Sequence, residues 1–391
     1  MSASYKSTKI ACFVGFVVQA IINNFLPLLF IIFNAEPYNL NYEQLGRLLF
    51  INFFVQLIVD ALTPMVVKQI GYRGAAIACH GLAATGLCLL GILPRLFPNH
   101  IYTCLIIAII VYATGSGIIE VCISPIVELL PGDKKGADMA FSHSFYCWGQ
   151  AFTVIISTLL IFLLKQDNWY FVPMLWALIP LLNMFNFMRV PIIEEQNEPV
   201  GKTANTLFKN RDFWLFAIIM ICAGASEIAM AEWASLFVQK ALDIPKAVGD
   251  LLGPCAFAIC MGSGRVIFGL LDGKFNPKKA LILNNILCVG CYIGVGLFNI
   301  PALSLIACAL CGFSVSLSWP GTYSMAARRF PLGGTLMFSI LALCGDLGCS
   351  MGPWLLGIVA NKSTLETGFI VLAIFPAIMV LTASLLRKEK C

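Results

Sequence analysis

Residues 101–122, IYTCLIIAIIVYATGSGIIEVC, decide the class of fold. This stretch of 22 residues contains a single charged side chain, Glu120. As an α-helix it would be about 33 Å long, which is enough to cross the roughly 30 Å hydrocarbon core of a bilayer. Backbone N–H and C=O groups find no water in that core, so a crossing segment must bond them internally. We therefore predict a transmembrane helix here.

Eleven other runs of the chain have the same length and apolar character. In chain order, the twelve predicted spans are 10–33, 44–67, 75–93, 101–122, 140–164, 169–190, 213–238, 249–271, 280–298, 302–325, 335–359 and 367–386. The composition agrees, because 59% of the 391 residues are hydrophobic and only 12% are charged, about half the usual charged fraction of a soluble domain. Strands of a membrane barrel would be about half as long and would alternate in polarity. We predict an all-α integral membrane protein.

A charged segment separates the twelve spans into two groups of six. We predict an N-terminal six-helix bundle over 1–190, a linker over 191–212 and a C-terminal six-helix bundle over 213–391. Short matches between the groups support a duplication: Gly117 precedes Pro125 by eight residues in span 4, and Gly312 precedes Pro320 by eight in span 10. Parallel repeats of this kind place a substrate site between the halves, near the middle of the membrane.

The distribution of basic residues predicts the orientation. If the N-terminus is cytoplasmic, 18 of the 25 lysines and arginines lie in cytoplasmic segments, six lie outside and Arg265 lies within a span. Cytoplasmic loops of membrane proteins carry such an excess of Lys and Arg. We therefore predict that both termini and the linker are cytoplasmic and that the protein spans the cell membrane many times.

Short motifs occur at corresponding places in the spans and loops. After span 8 the chain reads GRVIFGLLDGK at 264–274, and after span 2 it reads KQIGYR at 68–73. Span 4 contains EVCISP at 120–125, span 5 contains HSFYCWG at 143–149, and span 7 contains GASE at 224–227. These motifs resemble those of the major facilitator superfamily, and within it the sugar–proton symporters of the fucose permease and glucose–mannose type.

The resemblance implies a fold of two pseudo-symmetric six-helix halves and a secondary active transporter. A sugar or similar small polar solute would cross by alternating access, coupled to protons through Glu120 and Glu227. It also implies a gating role for Arg73, Arg265 and Asp272. Asp60 follows Asn52 and Gln56 at steps of four residues on the cytoplasmic side of span 2, which favours a gating or interdomain hydrogen bond over substrate contact. The chain departs from the pattern in span 1, where Asn23 and Asn24 have no aspartate beside them, and at Ser124, where asparagine is usual.

Polar side chains inside the spans are candidates for the substrate site, because burying them in lipid is costly. They fall at helical spacings in spans 1, 5 and 10, and acidic residues lie deep in spans 4, 7 and 11. The candidates for substrate binding are Gln19, Asn23, Asn24, Glu120, His143, Tyr146, Gln150, Glu227, Trp233, Trp319, Tyr323 and Asp346. Hydrogen bonds between helices and interfacial anchoring by Trp and Tyr are the alternative interpretation of the same residues.

Several functional classes are excluded or kept open by the sequence. No GxxxxGK[ST] phosphate loop and no HExxH pair is present, so we expect neither an enzyme nor a nucleotide-driven pump. The cysteines lie in apolar runs and are interpreted as small hydrophobic residues. We expect no cofactor, no metal and no nucleic-acid partner, but a monomer in the lipid bilayer that binds a small molecule and protons. An exporter of drugs or metabolites and an uncoupled facilitator remain alternatives.

Overall fold

The computed structural model of the protein describes residues 5–131, 135–193, 207–240, 242–270, 276–298, 300–330 and 334–386. Throughout these residues the regular structure is helical, without β-strands. Within this part of the chain, twelve segments are helical, long and apolar enough to cross a membrane. The predicted all-α architecture of twelve spans is therefore confirmed.

The helices follow the predicted spans closely. Spans 1 to 6 are formed by Tyr5–Phe25 with Phe30–Asn34, a single run Tyr42–Leu96 for spans 2 and 3, Ile101–Leu129, Lys135–Leu164, and Phe171–Trp176 with Leu178–Arg189. Spans 7 to 12 are formed by Arg211–Lys240, Lys246–Asp250 with Ala256–Leu270, Pro277–Leu297, Pro301–Val315 with Ser318–Arg329, Gly334–Lys362, and Leu365–Leu372 with Ile374–Leu385.

Two of the interruptions coincide with prolines. In span 1, Pro27 lies in the 3-10 turn Leu26–Leu29 that joins the two helical pieces. In span 8, Pro254 lies in the π-helical turn Leu251–Cys255. Proline has no N–H to donate and its ring crowds the preceding turn, so a helix tightens, widens or bends there.

The connection between spans 2 and 3 differs from the prediction of a loop over 68–73. Helix continues on both sides of Gly71, which alone breaks it with φ 70° and ψ 170°. Residues with a side chain rarely adopt this backbone conformation, whereas glycine adopts it readily. One glycine therefore makes the change of direction for which a whole loop was expected.

Contacts divide the chain into two compact units. Unit 1 contains Met1–Asn41, Ile51–Gln196 and Lys246–Leu251, and unit 2 contains Tyr42–Phe50, Asn197–Pro245 and Leu252–Cys391. Each unit thus includes the first turns of one span whose remainder belongs to the other unit. The predicted bundles 1–190 and 213–391 differ from the units in these short segments, and the predicted domain boundaries stay a prediction.

One span lies at the centre of each unit. Span 1 is 89% buried over its most apolar window and packs on spans 4 and 5 in unit 1. Span 7 is 83% buried and packs on spans 11 and 12 in unit 2. Glycines allow the close approach of spans 7 and 11, since a Cβ at Gly348 would overlap the carbonyl oxygen of Ile221. Polar residues on spans 1 and 7 are consequently surrounded by other helices rather than by lipid.

Candidate substrate and proton site

Uncharged polar side chains from spans 1, 2 and 4 form a buried network in unit 1. The Asn23 amide oxygen accepts hydrogen bonds from Gln56 Nε2 at 2.9 Å and from Asn52 Nδ2 at 3.3 Å. Ser116 Oγ donates to Gln56 Oε1 at 2.8 Å. All four residues are at most 4% exposed. Their amides and hydroxyl both donate and accept hydrogen bonds, which suits a ligand that does the same.

Glu120 lies beside this network and bonds to span 1. Gln19 Nε2 donates to Glu120 Oε2 at 2.7 Å, although the two residues are 101 positions apart. A carboxylate oxygen of Asp60, on span 2, lies within 4.8 Å of one of Glu120. Asp60 is 7% exposed, and a Cβ at Gly117 would lie 2.8 Å from its Oδ1. Glycine at 117 therefore leaves space for the aspartate carboxylate next to span 4.

The candidates on span 5 are arranged around its contact with span 1. Tyr146 Oη accepts a hydrogen bond of 3.4 Å from Asn24 Nδ2, and the His143 ring lies 4.7 Å from the ring of Phe16. His143 Nε2 also lies 3.3 Å from Ser124 Oγ. Further along the span, Gln150 is buried. His143 and Tyr146 thus both contact span 1, and the substrate-binding role predicted for the three residues stays a prediction.

In unit 2, Glu227 of span 7 forms an ion pair with Arg265 of span 8. Arg265 Nη2 lies 3.2 Å from Oε1 and 3.4 Å from Oε2 of the glutamate. The side chains are 7% exposed for Glu227 and 20% for Arg265. The sequence predicted substrate or proton binding for Glu227 and gating for Arg265, and the structure makes them partners. The roles predicted for the two residues stay predictions.

The tryptophans and Asp346 lie at the contacts of span 11. Trp233 is fully buried, and its Nε1 donates to the carbonyl oxygen of Pro353 at 3.1 Å. The Trp319 ring covers Gly345, the neighbour of Asp346, and lies 6.2 Å from the ring of Tyr323. Asp346 itself is 5% exposed. Trp233 is therefore tied to helix packing, and Trp319 and Tyr323 form an aromatic pair next to span 11.

Of the two gating candidates in the predicted cytoplasmic loops, Arg73 lies in the described part of the chain and Asp272 does not. The guanidinium of Arg73 donates to the carbonyl oxygens of Phe187, Met188 and Val190 at 2.8, 3.1 and 2.9 Å. These carbonyls end the helix of span 6, where a cation also interacts favourably with the helix dipole. Asp272 lies outside the described residues, and its gating role stays a prediction.

Sequence reasoning missed some members of the site. Asn52, Gln56 and Ser116 were not among the predicted substrate ligands, although Asn52 and Gln56 precede Asp60 at steps of four residues. Ser116 likewise precedes Glu120 by four residues, which places both on one helix face. The spacing of Asn52 and Gln56 in the sequence favoured gating over substrate contact, whereas the same search for helical spacing in span 4 would have found Ser116.

Comparison with known proteins decides the family. The profile of the Major Facilitator Superfamily matches residues 11–336, most of the chain. This chain belongs to the Major Facilitator Superfamily. It is accordingly a multi-pass membrane transporter and not an enzyme. This Major Facilitator Superfamily transporter is 21% identical over 326 residues to the membrane protein MosC of Rhizobium meliloti, covering 83% of this chain and 77% of MosC.

Other relatives and solved structures agree with this membership. An uncharacterised MFS-type transporter of Yersinia pestis is 24% identical over 368 residues, 93% of this chain and 90% of the relative. The E. coli fucose:proton symporter FucP matches with a TM-score of 0.70 at 17% identity, covering 99% of this chain and 100% of FucP. A D-xylose–proton symporter matches with a TM-score of 0.78 at 17% identity over 98% and 97% of the two chains. The nucleoside transporter NupG reaches 0.79 at 12% identity over 98% and 99%. At these identities the likeness establishes a shared fold.

Proposed function

We propose that this transporter carries a small hydroxylated solute, a sugar, across the cell membrane in symport with protons. The protein would act as a monomer, with its substrate exposed to each side in turn. Glu120 would bind and release the coupling proton, and the neutral network around Asn23 and Gln56 would bind substrate hydroxyls. The proton site and the substrate site would then be adjacent, so that occupancy of one can change the affinity of the other.

The observation that carries the proposal is the neighbourhood of Glu120. Asp60 places a second carboxylate within 4.8 Å of it, and two carboxylates so close together in a poorly solvated site disfavour the doubly ionised form. A proton bound by either carboxylate would relieve this repulsion. Gln19 donates to Glu120 from span 1, so uptake of a proton there would change a contact between spans. Asp60 thereby supplies the second acid that span 1 lacks.

The substrate class is supported by the chemistry of the side chains. Amides and hydroxyls meet sugar hydroxyls as both donors and acceptors, and they place no fixed charge against a neutral ligand. The Tyr146 ring, whose hydroxyl accepts a hydrogen bond from Asn24 in the same unit, offers a flat apolar surface to the face of a sugar ring. FucP and the D-xylose symporter, which share the fold, are named as sugar–proton symporters.

Coupling follows if protonation and substrate binding influence each other. Because linkage is reciprocal, protons must tighten substrate binding by the same factor by which substrate tightens proton binding. A protonated Glu120 donates a hydrogen bond as well as accepting one. Protonation would therefore change both its bond with Gln19 and its interaction with substrate. Release of the proton on the other side would then weaken substrate binding there.

The test compares net accumulation with exchange in proteoliposomes. Glu120→Gln keeps the shape of a protonated glutamate but cannot ionise, so it should abolish accumulation driven by a pH gradient. Counterflow of labelled sugar should persist, because exchange needs no proton turnover. Asp60→Asn is expected to lower accumulation at least about tenfold for the same reason. Glu43→Gln serves as the control, since this acid lies on the partly exposed first turn of span 2 and should leave accumulation unchanged.

Two results would reject parts of the proposal. Accumulation against a gradient by the Glu120→Gln protein would remove Glu120 as the coupling site. Wild-type transport that ignores the pH gradient would identify a facilitator or a carrier driven by another ion. A screen of sugars, polyols and cationic drugs by thermal shift would test the substrate class independently.

A further inference from the structure

A buried ion pair occupies the first turn of span 8. Lys246 Nζ lies 2.8 Å from Asp250 Oδ2, one helical turn further along the chain. The Asp250 side chain is completely buried and that of Lys246 is 11% exposed. Charges at this depth need several partners, because their removal from water costs far more than one ion pair returns.

The additional partners come from spans 1 and 5. Lys246 Nζ donates to the carbonyl oxygen of Leu28 at 2.6 Å, in the turn where Pro27 interrupts span 1. Thr158 Oγ1, on span 5, donates to Asp250 Oδ2 at 2.9 Å. The two charges therefore fix the first turn of span 8 to two other helices of unit 1.

The same span changes unit just beyond this attachment. Residues Lys246–Leu251 belong to unit 1, and Leu252 and the residues after it belong to unit 2. The change falls in the π-helical turn Leu251–Cys255 with Pro254, where the regular helical hydrogen bonding is interrupted. Span 8 thus has an attached first turn, a deformable turn and a longer helix that packs with other residues.

We infer that Lys246 and Asp250, with Thr158 and Leu28, form a latch that must open during the transport cycle. The charge distribution of the sequence predicts that this end of span 8 faces outside. Alternating access requires helices to separate on one side while they meet on the other, and an attachment made of charges can be replaced by water when it opens. Lys246 and Asp250 are accordingly positioning residues that set how long this end stays closed.

A cleft borders the latch. It is lined by Ile161, Phe162, Lys165 and Gln166 of span 5 and its end, and it also borders Lys246. Hydration of the lysine through this cleft would compensate the loss of its bonds to Asp250 and Leu28. An apolar attachment of the same size would gain nothing from water and would open less readily. The ionic chemistry therefore favours a reversible attachment over a permanent one.

The first turn of span 2 offers a matched control. Glu43 and Arg47 form an ion pair with the same spacing of four residues and a distance of 2.7 Å, but their side chains are 35% and 47% exposed. Exposed pairs of this type contribute little, because water screens them and both side chains lose freedom. Neutralising this pair tests the effect of losing charge at a helix start without breaking a buried attachment.

The experiment measures opening with a reporter cysteine, independently of substrate and proton coupling. Val154 is fully buried one turn deeper than Thr158 on span 5, so Val154→Cys reacts with a soluble maleimide only when this region opens. The reaction is followed in purified protein in lipid nanodiscs, with subtraction of the signal from protein without the reporter. Lys246→Met and Asp250→Asn should each raise its rate at least about tenfold, because each leaves one buried charge without its partner. Lys246→Met with Asp250→Asn should return the rate to within about threefold of the starting protein, since neither charge remains.

Several outcomes would overturn the latch. These are unchanged labelling in both single variants, an equal rise in the Glu43→Gln and Arg47→Met controls, or a double variant as reactive as the single ones. Where a single variant does not fold, Thr158→Val decides, because it removes only the hydrogen bond to Asp250 and should raise labelling about threefold. A Thr158→Val protein with the wild-type rate would then reject the proposal. Failure here would leave the sugar–proton proposal untouched, because no transport is measured.

Discussion

Arg265 and Glu227 are the residues for which the structure changes the interpretation most. Both lie within the membrane-spanning part, and the guanidinium contacts both carboxylate oxygens. Arg265→Met would leave the Glu227 carboxylate buried without its counter-charge, at a cost of about 3–5 kcal/mol. We expect a clear fall in the thermal unfolding temperature in detergent. Glu227→Gln combined with Arg265→Met should recover most of the loss.

The control for this pair is Arg47→Met, which neutralises an exposed arginine of an ion pair and should leave the unfolding temperature nearly unchanged. If the double variant is no more stable than Arg265→Met alone, the arginine has a stabilising contact other than the one with Glu227. If Arg265→Met is as stable as wild type, the ion pair does not contribute to the folded state.

Single residues show where sequence reasoning ends. Glu120 is recognisable because a carboxylate in an apolar run has a high cost and needs a reason. Its hydrogen bond with Gln19 joins residues 101 positions apart, and no local pattern specifies such a contact. Lys246 and Asp250 were missed for a different reason. Lys246 precedes the predicted span 249–271 and Asp250 lies at its start, where charged residues are usual. Only the structure shows that Asp250 is buried and that Lys246 is nearly so.

At the scale of helices, apolar runs predict the spans because the lipid imposes both length and helicity. The deviations inside spans depend on special residues and their surroundings. Pro27 and Pro254 coincide with a tight and a wide turn, and proline identity alone does not say which will form. Gly71 separates spans 2 and 3 without a loop. The charged residues around it, Lys68 and Arg73, had suggested a loop instead.

Two glycine pairs of the same spacing differ in how closely their helices pack. The sequence contains GxxxG at Gly348 and Gly352 and again at Gly290 and Gly294, and both pairs predict close packing. A Cβ at Gly348 would overlap the carbonyl oxygen of Ile221, whereas a Cβ at Gly290 would meet nothing within 4 Å. Gly348→Ala should therefore separate spans 7 and 11 and lower the unfolding temperature by several degrees.

Gly290→Ala is the matched control for that substitution. It should leave stability unchanged or slightly higher, because alanine is the better helix former by about 1 kcal/mol. Thermal unfolding of both variants in the same detergent gives the comparison. Equal effects of the two substitutions would mean that the approach of spans 7 and 11 does not depend on the missing side chain.

For the whole molecule, the sequence predicted two halves from the grouping of spans, and the contacts form two units of similar membership. The units differ from the predicted halves in two short segments. The first turns of span 2 belong to unit 2, although the rest of that span belongs to unit 1, and the first turn of span 8 belongs to unit 1, although the rest of that span belongs to unit 2. A prediction from sequence assigns every residue of a span to the same bundle. It therefore cannot show that the first turn of a span belongs to the other unit. The exchanged segments carry the Glu43–Arg47 and Lys246–Asp250 pairs, which is why one is a control for the other.

The orientation of the whole chain is the remaining prediction. Eighteen of 25 basic residues lie on the side of the termini and linker, and translocation disfavours positively charged loops, so this side should be cytoplasmic. A cysteine introduced at Asn205 in the linker should react with a membrane-impermeant maleimide only after cells are permeabilised. Asp167→Cys is the matched reporter for the other side, since it lies in the exposed turn Gln166–Asn168 after span 5 and should react in intact cells. The same cells without either substitution correct for the 16 native cysteines. Labelling at 205 but not at 167 in intact cells would reverse the orientation, and it would place the Lys246–Asp250 latch on the cytoplasmic side.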